Sequence, residues 1–147
     1  MVHRGKEDRL EISGFILERT ARKMKQAFQR LLKDISAGIT ADQWVVLDTL
    51  RKGDGLSQFE ISELVFKDPP TLTRIIDLLC QKGLVKRKAH AEDRRRMQVF
   101  LTESGNRLIQ DLLPVVREFR SRGWNNLSEE ELHHLQRLLD RVFSNFE

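Results

Sequence analysis

Apolar residues recur along this chain with two different periods, and the changes of period divide it into elements. Leu17, Ala21, Met24, Phe28, Leu31 and Ile35 alternate spacings of four and three. That is a heptad seam, and it predicts a first helix over about 8–35. Arg22, Lys23, Lys25 and Arg30 fall between the seam positions and are expected to face water. Ala37-Gly38 is expected to end the helix, because glycine tolerates the left-handed cap. Trp44, Leu47 and Leu50 give a second helix its apolar face. Thr40 opens that helix in capping-box spacing with Gln43, and Gly53-Asp54-Gly55 stops it. Ser57 and Glu60 repeat the box and open a short helix with Ile61, Leu64 and Val65 inward.

Asp68-Pro69-Pro70 is the sharpest punctuation in the chain. Asp caps a helix well, and Pro suits its first position, where the missing N–H would be unpaired anyway. The helix that follows has Leu72, Ile75, Ile76 and Leu79 on one side and Pro70, Thr71, Thr73, Arg74, Asp77 and Gln81 on the other. Gly83 closes it. The period then shortens to two: 84–88 and 97–101 read as strands, with Met97, Val99 and Leu101 alternating around Gln98. Thr102 caps a further helix through Leu108, Leu112, Val115 and Phe119, which Pro114 should kink. A break is expected near Gly123-Trp124-Asn125-Asn126. Ser128 and Glu131 form a third capping box before Leu132, Leu135, Leu139, Val142 and Phe146, again a 3–4 seam. Helix, break, helix and hairpin over 40–102 is the order of a winged helix-turn-helix. The fold class is mainly α, with a two-stranded β-hairpin wing and long N- and C-terminal helices. The 147 residues suit one domain.

Charge sharpens this picture. The net charge is +4, but residues 82–96 alone carry seven Lys/Arg against two Asp/Glu. A concentrated positive patch suits a polyanion, because neutralising phosphates releases counterions. At the hairpin tip, Asp93-Arg94-Arg95-Arg96 sets three mutually repelling arginines together. Arginine fits the narrow minor groove, so Arg95 is expected there, with Arg94 or Arg96 on phosphate. Asp93 is expected to hold the Arg95 guanidinium extended by an ion pair. Pro70, Thr71, Thr73 and Arg74 occupy the N-terminal half of the helix that would enter the major groove. Arg pairs bidentately with guanine, and Thr bonds to bases or phosphate or packs on a thymine methyl. The positive end of that helix favours phosphate. Ser57 and Gln58 are candidates for register-setting phosphate contacts.

With these residues in place, the chain resembles a known family. Thr40 through Trp44 to Leu50, Leu72-Thr73-Arg74-Ile75-Ile76-Asp77-Leu78-Leu79, Gly83-Leu84-Val85-Lys86-Arg87, and Asp93-Arg94-Arg95 through Leu101-Thr102-Glu103-Ser104-Gly105 are similar to MarR-type transcriptional regulators. The resemblance covers essentially the whole chain. It implies a homodimer on a pseudo-palindromic double-stranded operator, most often repressing, with Asp93 and Arg95 as the minor-groove element. It also implies release by a small phenolic or other aromatic effector, or a response to oxidation. Independently, the seams over 8–36 and 103–147 ask for a partner helix and so for dimerisation. Two-fold symmetry then reads two half-sites.

The remaining residues narrow the alternatives. Cys80 is the sole cysteine; it excludes an internal disulfide, fits a reducing cytoplasm, and reads as a buried structural thiol. His3 and His90 sit in expected loops. His133 and His134 are adjacent, so a helix points them about 100° apart, and no metal ligand set forms. Trp44, Phe28, Phe119 and Trp124 are most simply core or interface residues, with the lining of an aromatic-ligand pocket as the second reading. No membrane-spanning run, phosphate loop or nucleophile elbow is present, so no cofactor, enzymatic activity or membrane partner is expected. Two rival readings stay open: a winged helix used as a protein-interaction module, and a ligand-binding protein without specific DNA recognition.

Overall fold

The computed structural model describes residues 4–147, and His3 lies outside them. The elements run α1 (Arg4–Asp34), α2 (Ala41–Lys52), β1 (Leu56–Ser57), α3 (Gln58–Val65), α4 (Pro69–Gln81), β2 (Val85–Ala89), β3 (Met97–Leu101), α5 (Glu103–Gly123) and α6 (Glu129–Ser144). They fall into two compact units, residues 1–113 and 114–147.

In the first unit the core is built from Leu32, Ile39, Trp44, Leu47, Leu50, Ile61, Leu72, Ile76, Leu79, Val85 and Val99, all buried. Each full burial of a Leu or Ile is worth roughly 1.5–3 kcal/mol, so these residues fix how the helices stack. The inward set expected for α4 holds at all four positions. Along α1 the heptad seam is not the buried face. Leu32 is, while Leu17, Met24 and Ile35 are exposed. Lys25 faces water as expected and also pairs with Asp42 of α2 at 2.9 Å. Ser36, not Gly38, takes the left-handed cap, with φ +52. The Ala37 and Ser36 N–H groups donate back to the Leu32 and Lys33 carbonyls, which is the Schellman arrangement. The helix ends there because Leu32 is its last core residue and Ile39 must come in next.

Both expected capping boxes in this unit form. Gln43 does more than cap: its Oε1 also accepts from Lys82 Nζ at 2.7 Å, and Lys82 donates to the Gly38 carbonyl. The α1–α2 corner is thereby tied to the end of α4. On α3, Ile61 is inward as expected, but Leu64 is 66% exposed and Ser62 is buried instead. At 100° per residue the inward arc runs through 58, 61, 62 and 65, and Leu64 falls outside it. Gly83, at φ +72, ends α4 in a second Schellman turn.

The hairpin has the expected strands, paired from Val85↔Leu101 to Ala89↔Met97. A third strand joins it: β1 pairs Leu56 with Val99 and Ser57 with Gln98, so the order is β1-β3-β2. Two residues cannot display a period, which is why the pattern shows no strand there. Asp54 Oδ1 accepts the Leu101 N–H at 2.9 Å and fastens the end of β3. The Thr102 hydroxyl accepts the Gly105 N–H and donates to the Gly83 carbonyl, joining the start of α5 to the end of α4. Along α5 the buried stripe is Ile109, Leu112 and Val116, with Leu108, Val115 and Phe119 half-buried. This is about one residue round from the expected face. Pro114 lies within the helix without ending it.

The second unit holds the end of α5, a turn with Asn126 at φ +69, and α6. Ser128 and Glu131 cap α6 reciprocally. No residue of α6 is buried, and its apolar face leaves Leu138, Leu139 and Val142 in solvent, with Phe146 just past its end. No helix among the described residues is long and apolar enough to cross a membrane.

Candidate nucleic-acid interface

The N-terminus of α4 is built by Asp68. Its Oδ1 accepts the Thr71 N–H at 2.9 Å and its Oδ2 accepts the Thr71 hydroxyl at 2.8 Å. These bonds, from the Thr71 backbone first and its hydroxyl second, hold the carboxyl below its ordinary range; Arg74 adds a smaller pull. An ionised carboxylate at this end offsets the positive pole of the helix. This carboxylate lowers the pull of the helix end on phosphate and leaves more of it to the arginines.

The outward face of α4 carries the expected residues. Pro70, Thr73 and Arg74 are exposed, and Thr71 is half-buried. Thr73 donates its hydroxyl to the Pro69 carbonyl at 2.9 Å. Both threonine hydroxyls thus spend their hydrogen locally. What they present outward is a methyl and acceptor capacity, which suits thymine methyls and base amino groups better than phosphate. The Arg74 side chain makes no hydrogen bond or salt bridge among the described residues.

The wing tip spans 90–96. The Asp93 Oδ1 accepts the Arg95 N–H at 3.0 Å, and the Asp93 carbonyl accepts the Arg96 N–H at 3.0 Å. This is an Asx-type turn. The ion pair expected between Asp93 and the Arg95 guanidinium is absent among the described residues: Asp93 shapes the backbone that presents Arg95, not the side chain. Arg94, Arg95 and Arg96 are exposed, and their side chains make no hydrogen bond or salt bridge among the described residues.

Sequence reasoning missed the residue that joins the two reading elements. Arg87, on β2, reaches Asp77 of α4 at 2.6 Å, Gln58 of α3 at 2.6 Å and the Thr73 carbonyl at 3.3 Å. One guanidinium fork therefore fixes α3, α4 and the hairpin relative to each other. The available signal was a basic residue on the same strand face as Val85 and Ala89. Its partners, 10 to 29 positions away, gave none. Gln58 is half-buried and committed to Arg87, with its amide also 3.4 Å from the Thr73 hydroxyl. Ser57 is 7% exposed, with its hydroxyl inside the capping box. Cys80 is half-buried, not buried: it sits on the edge of α4 with Sγ 4.0 Å from the Arg87 guanidinium. Trp44 is core; Phe28, Phe119 and Trp124 are half-buried.

Known proteins share this arrangement. The MarR family profile matches residues 37–96, from the α1–α2 loop to the wing tip. The chain is 34% identical over 131 residues to the HTH-type transcriptional repressor IacR of Pseudomonas putida, covering 89% of this chain and 77% of that protein. MepR of S. aureus in complex with DNA superposes with a TM-score of 0.81 at 28% identity, over 90% of this chain and 96% of that one. A mutant MarR of E. coli complexed with operator DNA gives 0.79 at 27% identity, over 88% and 91%. With a helix-turn-helix, a basic wing and this likeness along most of its length, the chain belongs to the MarR family of DNA-binding transcriptional regulators.

Proposed function

We propose that this protein is a homodimeric repressor that reads a pseudo-palindromic duplex operator. The observation that carries the reading is the wing tip. Three adjacent arginines stand there on a turn organised through its backbone, their side chains without hydrogen bonds or salt bridges among the described residues. Like charges held together this way gain little stability, and a polyanion is the partner that relieves them. In this reading α4 enters the major groove with Pro70, Thr71, Thr73 and Arg74, and Arg74 meets guanine. Arg95 enters the adjacent minor groove, and Arg94 and Arg96 meet phosphate across the wing. Gln58 stays at the edge of the contact through Arg87. The Ser57 hydroxyl is left out, because the residue is buried. Two copies join through the apolar faces of α1 and α6. A small aromatic effector, which the family resemblance implies, would act by changing the separation of the two reading heads. The protein works on DNA in the cytoplasm.

The test is fluorescence anisotropy with a duplex recovered by selection. Arg74→Ala should cost about 1–3 kcal/mol and relax specificity at one base pair of each half-site. Arg96→Ala should weaken all sequences alike and lower the salt slope by about 1 per copy. Affinity unchanged by Arg74→Ala and Arg95→Ala together would reject the assignment.

A further inference from the structure

We propose that His90 is a positioning residue of the wing, whose neutral imidazole caps the arginine turn and aims Arg95 and Arg96. The inference rests on the DNA-binding reading above.

His90 stands where β2 has ended and the tip begins. Its own N–H donates to the Arg96 carbonyl at 2.9 Å and closes the base of the turn. Its ring Nδ1 lies 3.1 Å from the Glu92 nitrogen and 3.3 Å from the Asp93 nitrogen, and both N–H groups donate to it. An imidazole nitrogen that accepts carries no proton, so the ring is the neutral tautomer with its hydrogen on Nε2. The next two bonds of the turn are those of Asp93, whose carboxylate takes Arg95 and whose carbonyl takes Arg96. The tip is therefore a relay: His90 fixes the backbone of Glu92 and Asp93, and Asp93 fixes the backbone that presents the arginines. Both ring-accepted bonds disappear if Nδ1 is protonated, because an imidazolium is a donor at both nitrogens. It would then face two other donors.

His90→Asn keeps every charged group of the wing and places an amide oxygen near the Nδ1 position, where it can accept the same two N–H groups. It therefore separates capping of the turn from the mere presence of a ring.

The experiment has two arms on the full chain. Nitrogen-detected NMR of the imidazole, without DNA, reads the tautomer: an unprotonated Nδ1 with Nε2–H is expected, and Nδ1–H overturns the proposal. Anisotropy with the selected duplex then compares wild type, His90→Ala and His90→Asn at one pH and one salt concentration. His90→Ala should bind about fivefold to tenfold more weakly, from the loss of two modest hydrogen bonds, and His90→Asn should restore most of that loss. An alanine variant that binds like wild type, or an asparagine variant as weak as alanine, overturns it. If no duplex is selected, the DNA-binding reading fails, and the tautomer result still decides whether His90 caps the turn.

Discussion

Gly105 occupies a place that no side chain can share. It is the third residue of α5, and a methyl built there would run into the Leu84 carbonyl oxygen. Glycine to alanine in a helix ordinarily gains about 1 kcal/mol. Here the sign should reverse: the obstacle is backbone, held by Thr102, whose N–H donates to that same carbonyl. Gly105→Ala should lower the unfolding free energy by about 2–4 kcal/mol in a urea titration; a stabilised variant would show that α5 does not start where it is described. Acid gives a second residue-scale expectation. Burial opposes ionisation of Asp42 and Asp48, but the hydrogen bonds from Lys25 and Lys67 to Asp42, and the Arg51 hydrogen bond and Lys52 charge at Asp48, outweigh it. Both carboxyls fall below their ordinary value of 3.8. Folded-state values below the unfolded ones mean that the stabilisation is complete above about pH 4 and is lost as pH drops through the folded values. Melting temperature should fall as pH is lowered below about 4, and Asp48→Asn should show a shallower fall. An equal fall in the variant would remove Asp48 from the account. At this scale the buried set of α4 and the three capping boxes could be read directly, because each depends on neighbours within four positions. Ser36, Leu64 and the role of Asp93 could not, because tertiary context decides which way each residue turns.

The elements that read DNA are held together by contacts that no local pattern reveals. The recognition helix and the hairpin were legible from Asp68-Pro69-Pro70, Gly83 and the period-two run of Met97, Val99 and Leu101. Strand β1 was not, and neither was the fork of Arg87, since both are defined by residues distant in sequence. That fork sets the angle between α4 and the wing, and so, in the proposed reading, the spacing between a major-groove and a minor-groove contact. Arg87→Lys keeps the charge but cannot hold Asp77 and Gln58 at once. Its stability should drop by about 1–2 kcal/mol, and its discrimination between selected and scrambled duplex should fall more than its affinity for the scrambled one. Discrimination equal to wild type, measured by anisotropy at one salt concentration, would mean that the two elements are aligned by the core alone.

At the scale of the whole molecule, the helices at the two ends carry the apolar surface that the rest does not need. Leu10, Phe15, Leu17 and Met24 on α1, Leu139 and Val142 on α6, and Phe146 just past its end are all exposed in the single chain. Heptad seams of this kind are stable when a second helix covers them. The seams themselves were legible from spacing. Which of their residues would remain uncovered was not, because Leu32, off the seam, took the core position on α1. Leu17→Glu combined with Leu139→Glu should convert a dimer to a monomer in sedimentation velocity, with the helix-turn-helix still folded; a dimer that survives would place the interface elsewhere. The dimer matters because two reading heads on a two-fold axis require a two-fold site. The most direct measurement is selection from a random duplex pool, followed by anisotropy of the recovered duplex against its scramble at near-physiological salt. The account predicts a palindromic site, bound by two chains about a thousandfold or more tighter than scramble. Equal, salt-sensitive binding to both duplexes would contradict it and leave only a basic surface.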